Sequence, residues 1–137
     1  MMQSTEIRAI SFNADGLLTK VGKCLRMDLI LKFAIRMNLD ILCLQEPHTD
    51  THDKLKHTTE YFALRGYTLL CPITDEGRGG SAIAIKNTWN IVSHTIHSQR
   101  IMHACISSNG GDVISVASVH MHHRCNIRTS QWGKLLH

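Results

Sequence analysis

Aromatic residues are scarce, at 5% of the 137-residue chain, so aliphatic side chains must do most of the packing. There are only two prolines, Pro47 and Pro72, and each follows an apolar run that it can end. The five cysteines are Cys24, Cys43, Cys71, Cys105 and Cys125. They are odd in number and widely spread, with no CxxC pair, which argues against a disulfide framework and for reduced thiols in an intracellular, nuclear or cytoplasmic setting. No apolar run is long enough to span a membrane, and residues 1–6 lack the basic and apolar regions of a signal peptide. A strong excess of one charge is also missing. The formal net charge of +4 is compatible with a polyanionic partner and equally with an ordinary solvated surface.

What is present is enough for one domain. Hydrophobic residues make up 43% of the chain, close to a globular average. Ile7 to Phe12 has the pattern of a strand. Cys24 to Met37 has helical spacing, with Leu25, Leu29, Ile30, Phe33, Ala34 and Met37 on one stripe. Asp28 and Lys32 are set for an i, i+4 pair, and Asn38 suits a left-handed stop. Ile41 to Gln45 reads as a strand buried on both faces. A second helix is expected from about Asp53 to Leu64, closed by Gly66. Strands follow at Tyr67 to Cys71 and Ser81 to Lys86. Ile101 to Ser107 and Val113 to His120 read as a hairpin turned at Asn109-Gly110-Gly111. Asn126 suits the cap of a last helix carrying Trp132, Leu135 and Leu136. This order predicts a mixed sheet with helices on one face. The other face needs cover, and the chain has no obvious segment to provide it. A bare apolar face would favour self-association.

Two of the expected strands end in oxygen-bearing side chains. The first runs into Asn13-Ala14-Asp15-Gly16 and the second into Gln45-Glu46. Hard oxygen donors at one rim of a sheet suit Mg²⁺. Three segments, Ser11-Phe12-Asn13-Ala14-Asp15-Gly16-Leu17, Asp40-Ile41-Leu42-Cys43-Leu44-Gln45-Glu46 and Gly79-Gly80-Ser81-Ala82-Ile83-Ala84-Ile85, resemble in order three motifs of the endonuclease/exonuclease/phosphatase superfamily. They look most like its nucleic-acid-cleaving branch, including apurinic/apyrimidinic and retrotransposon endonucleases.

The resemblance implies an α/β (α+β) fold, a partial four-layer α/β/β/α sandwich with a mixed sheet. It implies that residues 1–137 are a truncated domain, the amino-terminal half. Glu46 matches the metal-binding glutamate, Asp15 a nearby metal position, and Asn13 the asparagine that orients the site. His120 falls where the family has Tyr or His, and would touch the scissile phosphate or its leaving oxygen. Arg78 and Gly80 lie in a basic glycine-rich loop able to approach a phosphate. The implied cofactor is Mg²⁺, with Mn²⁺ as the other candidate, and the implied partner is nucleic acid, DNA before RNA. The later Asp-x-Asn and Asp-His motifs have no counterpart in the sequence. The implied activity is Mg²⁺-dependent phosphodiester hydrolysis, weak or absent in this form. The alternative is a catalytically dead interaction module or retroelement remnant.

Plainer readings stand beside these. Asn13 and Asp15 before Gly16 also suit a simple turn, Glu46 a solvated strand end, and Arg78-Gly79-Gly80 an ordinary loop. His120, His122, His123 and Cys125 are zinc-friendly residue types, but their spacing matches no standard structural zinc site, and exposed loop histidines are the simpler account.

Overall fold

A computed structural model describes residues 6–17, 25–74 and 80–120. The described elements are β1 (Ala9–Asn13), α1 (Leu25–Arg36), β2 (Ile41–Gln45), α2 (His52–Ala63), β3 (Tyr67–Leu70), β4 (Ser81–Lys86), β5 (Asn90–Ser98), β6 (Ile101–Ser107) and β7 (Val113–Val119). Arg78, the His122-His123-Cys125 cluster and the helix expected from Asn126 lie outside the described residues.

The strands form two sheets. The first is mixed, in the order β1-β2-β4-β3, with β1 parallel to β2 across the α1 crossover and the remaining pairs antiparallel. The second is an antiparallel meander, β5-β6-β7. Strand alternation splits the core in two. Leu42, Leu44, Ala82 and Ala84 point to the helices and pack with Met27, Leu31, Ala34 and Phe62. Ile41, Ile83 and Ile85 point the other way, onto Met102, Ala104 and Ile106 of the second sheet.

That second core corrects one expectation. The far face of the mixed sheet is not bare, so a site of self-association there has no basis. Its cover is the β5–β7 meander. The sequence reading missed β5 because Asn90–Ser98 carries polar residues at most positions and lies along a sheet edge, largely exposed.

The stripe on α1 is a second correction. The buried positions are Met27, Ile30, Leu31 and Ala34, whereas Leu29 is 59% and Phe33 44% exposed. Residues 29–35 are apolar on nearly every side, so two stripes were available and packing against the sheet selected one. Other local signals hold. Asn38 is left-handed at φ 53°, Gly66 turns the chain at φ 90°, and Asp28 pairs with Lys32 at 3.0 Å. Asp28 also accepts from the Tyr61 hydroxyl at 3.1 Å; the bonds from Lys32 and Tyr61 hold its pKa below the usual carboxylate value. Among the described residues no helix is long and apolar enough to cross a membrane.

Candidate metal centre

The parallel pairing of β1 and β2 places Asn13 beside Gln45 at the carboxyl ends of both strands. The pairing then continues beyond the strands. Backbone N–H groups of Ala14, Gly16 and Leu17 donate to the carbonyls of Gln45 at 2.7 Å, Glu46 at 2.7 Å and Pro47 at 3.2 Å. The two loops are therefore zipped together, and their side chains share one rim. The Asn13 side-chain oxygen accepts from the Asp15 N–H at 2.8 Å, so Asn13 shapes the turn that delivers Asp15.

Asp15, Glu46 and His48 each bring one ligand atom to within 4.8 Å of the other two. All three have left-handed backbones, at φ 45°, 57° and 55°. Such conformations cost a non-glycine residue roughly 1–3 kcal/mol each and concentrate where function over-determines the backbone. Two like-charged carboxylates at this separation repel unless a cation lies between them. Two hard oxygen donors and an imidazole suit a small divalent cation.

Glu46 is only 12% exposed and has a buried partner. His120, directly after β7, sets its Nε2 3.3 Å from Glu46 Oε1. Its Nδ1 lies 3.3 Å from the Arg100 guanidinium, and its backbone N–H donates to the Arg100 carbonyl at 2.8 Å. A guanidinium only donates, so Nδ1 must accept and the neutral ring carries its hydrogen on Nε2, which lies at ion-pair distance from Glu46. Below this contact a polar seam joins the sheets. Gln45 donates to Ser11 at 3.1 Å and Ser118 at 3.4 Å, and the Ser81 hydroxyl bonds Ser118 at 2.6 Å.

The loop termini are pinned from behind. Arg26 of α1 donates to the carbonyls of Ala14 at 3.2 Å and Gly16 at 3.3 Å and to that of Asp15 between them, and lies 3.8 Å from the Asp15 carboxylate. Buried Thr49 donates to the Pro72 carbonyl at 2.7 Å. Gly80, at φ 93°, lends its carbonyl to the Glu46 N–H at 3.0 Å. A Cβ at this glycine would stand 2.3 Å from Thr74 Cγ2 and 3.3 Å from the Pro47 ring.

The structure thus brings Asp15, Glu46 and His120 together, and sets Asn13 and Gly80 in their support. Sequence reasoning passed over His48, Arg26 and Arg100. A histidine two positions beyond Glu46 was a usable signal for the first. The other two act through folded proximity and left no local mark.

The class is a two-sheet α/β sandwich with helices on one face and acidic side chains gathered at one rim. Residues 10–135 match the Endonuclease/Exonuclease/phosphatase family, and the chain belongs to it. Over 82 residues, 60% of this chain and 8% of its relative, it is 34% identical to a probable RNA-directed DNA polymerase from transposon X-element of Drosophila melanogaster. Solved structures of similar fold include a humanized D. rerio TDP2 (TM-score 0.68, 18% identity, covering 95% of this chain and 58% of that one). An AP endonuclease from Archaeoglobus fulgidus is also similar (0.60, 21%, 84% and 41%). So is the human Nocturnin catalytic domain (0.61, 22%, 95% and 56%). The chain spans roughly half the length of these three solved chains and a far smaller share of the transposon protein.

Proposed function

We propose that this chain carries the metal-binding half of a Mg²⁺-dependent phosphodiester hydrolase that acts on nucleic acid, DNA before RNA. The observation that carries the reading is the meeting of Asp15 and Glu46 at the ends of two parallel strands, with buried His120 behind Glu46. Family membership, the transposon relative and the fold shared with an AP endonuclease support it.

A divalent ion held by Glu46 and Asp15 would neutralise charge at the scissile phosphate and polarise it toward attack. The protein's own part is positioning. Asn13 sets the turn of Asp15, and the buried imidazole of His120, 3.3 Å from the Glu46 carboxylate, restricts where that carboxylate can aim. The contacts of His120 with Glu46 and Arg100 favour this role over the direct phosphate contact expected from the sequence. Arg78, in the loop before Gly80, is the proposed phosphate contact. Hydrolysis also needs a base in line with the leaving group, and the Asp-x-Asn and Asp-His motifs are absent from these residues. The 137-residue chain alone is therefore expected to bind Mg²⁺ weakly and to cleave poorly or not at all.

Calorimetric titration with Mg²⁺, paired with nicking of supercoiled plasmid, tests both parts. Weak binding lost in Glu46→Ala, with slow or no nicking, is the expected result. Mg²⁺ binding that survives the substitution overturns the site. Vigorous nicking abolished by it overturns the claim of weak activity.

A further inference from the structure

We infer that His48 is a third donor to this metal centre, and that its imidazole makes the centre favour Mn²⁺ over Mg²⁺; the inference rests on the proposed role of Asp15 and Glu46. The first ground is geometric. A ring nitrogen of His48 lies within 4.8 Å of carboxylate oxygens of both acids, the spacing at which three ligands surround one ion. The second is the backbone. His48 is half-buried and held at φ 55°, just before buried Thr49, so the loop fixes the point from which its side chain leaves the backbone.

The third ground is Gly16. Its φ of 86° suits glycine, and a Cβ there would stand 2.8 Å from His48 Nδ1. The loop that supplies Asp15 thus leaves out a side chain where the imidazole lies. A solvated histidine beside an acidic pair would not require that space.

The preference follows from donor chemistry. Mg²⁺ demands oxygen ligands in near-ideal octahedral geometry and keeps much of its water. Mn²⁺ accepts carboxylate and water as Mg²⁺ does, but it is larger and softer and tolerates a nitrogen donor that the harder, tightly hydrated Mg²⁺ disfavours. Replacing one oxygen by imidazole therefore costs Mg²⁺ more than Mn²⁺.

The test uses the whole 137-residue chain without a histidine tag. Mn²⁺ binding is read from loss of the aqueous Mn²⁺ paramagnetic resonance signal, and Mg²⁺ affinity from competition. His48→Asn keeps a residue that tolerates the left-handed backbone and offers an oxygen instead of the imidazole. The wild type is expected to hold Mn²⁺ about tenfold more tightly than Mg²⁺. His48→Asn is expected to reduce that ratio to about threefold or less. Spin-echo modulation from a directly bound nitrogen should be present in the wild type and absent in the variant. An unchanged ratio in His48→Asn, or no nitrogen modulation in the wild type, overturns the role of His48. Mn²⁺ binding that persists in Glu46→Gln overturns the underlying site instead.

Discussion

Glu46 and His120 stand 3.3 Å apart, carboxylate to imidazole, although one closes a strand of the first sheet and the other closes a strand of the second. Their contact ties the proposed metal centre to the packing of two sheets. Without that packing, Glu46 would be an ordinary solvated acid at the end of β2.

Removing His120 should therefore be felt by the metal. His120→Ala is expected to weaken Mn²⁺ affinity about tenfold, the lower range for loss of a group that orients a ligand. His120→Gln retains an N–H donor and should recover part of it. Titration of both variants, with thermal melts to confirm folding, decides the point. Equal affinity in wild type and His120→Ala would show that Glu46 keeps its aim unaided.

Arg26 supplies a second test. Its contact with the Asp15 carboxylate is exposed, and such pairs contribute little. Its bonds to the three loop carbonyls are the structural role. Arg26→Ala should lower metal affinity several-fold while the melting temperature falls by no more than about 5 °C. Arg26→Lys should restore only part of the affinity, because the three carbonyls converge on one guanidinium nitrogen that the shorter lysine side chain does not reach as well. Full rescue by lysine would mean that charge alone matters.

Gly80 is expected to tolerate no side chain. Gly80→Ala drives a methyl into Thr74 and should destabilise the fold by about 1–3 kcal/mol from overpacking, with backbone strain added. Thr74→Ser removes the opposing Cγ2, so the double variant should regain part of the loss in urea denaturation. A double variant no better than the single would assign the whole cost to the backbone.

Burial pushes the Cys71 thiol from an ordinary 9.0 up to about 11. The folded state thus prefers the neutral thiol. The stability this brings is complete below the ordinary value and is lost as pH rises through the window up to about 11. Unfolding free energies from urea titrations between pH 8 and 11 should fall in the wild type, by no more than about 1.4 kcal/mol per pH unit from this group. The fall should be shallower in Cys71→Ala. Identical slopes would remove Cys71 as the cause.

The local order of this chain was legible because its signals are local. Asn38 and Gly66 stop helices, Asp28 and Lys32 sit one turn apart, and the apolar run Ile41–Leu44 allows only a covered strand. The motif ends at Asn13, Asp15 and Glu46 were legible for the same reason, since strand termini can be read from neighbouring residues. Tertiary structure decided the rest. It selected Met27 and Leu31 over Leu29 and Phe33 as the buried face of a helix that is apolar nearly all round. It recruited the polar strand Asn90–Ser98 through backbone pairing, which is indifferent to side-chain polarity. It also turned His48 and Arg26 toward the acids and Arg100 toward His120. Contacts between residues far apart in sequence depend on how sheets and loops pack, and no short window of residues records that packing.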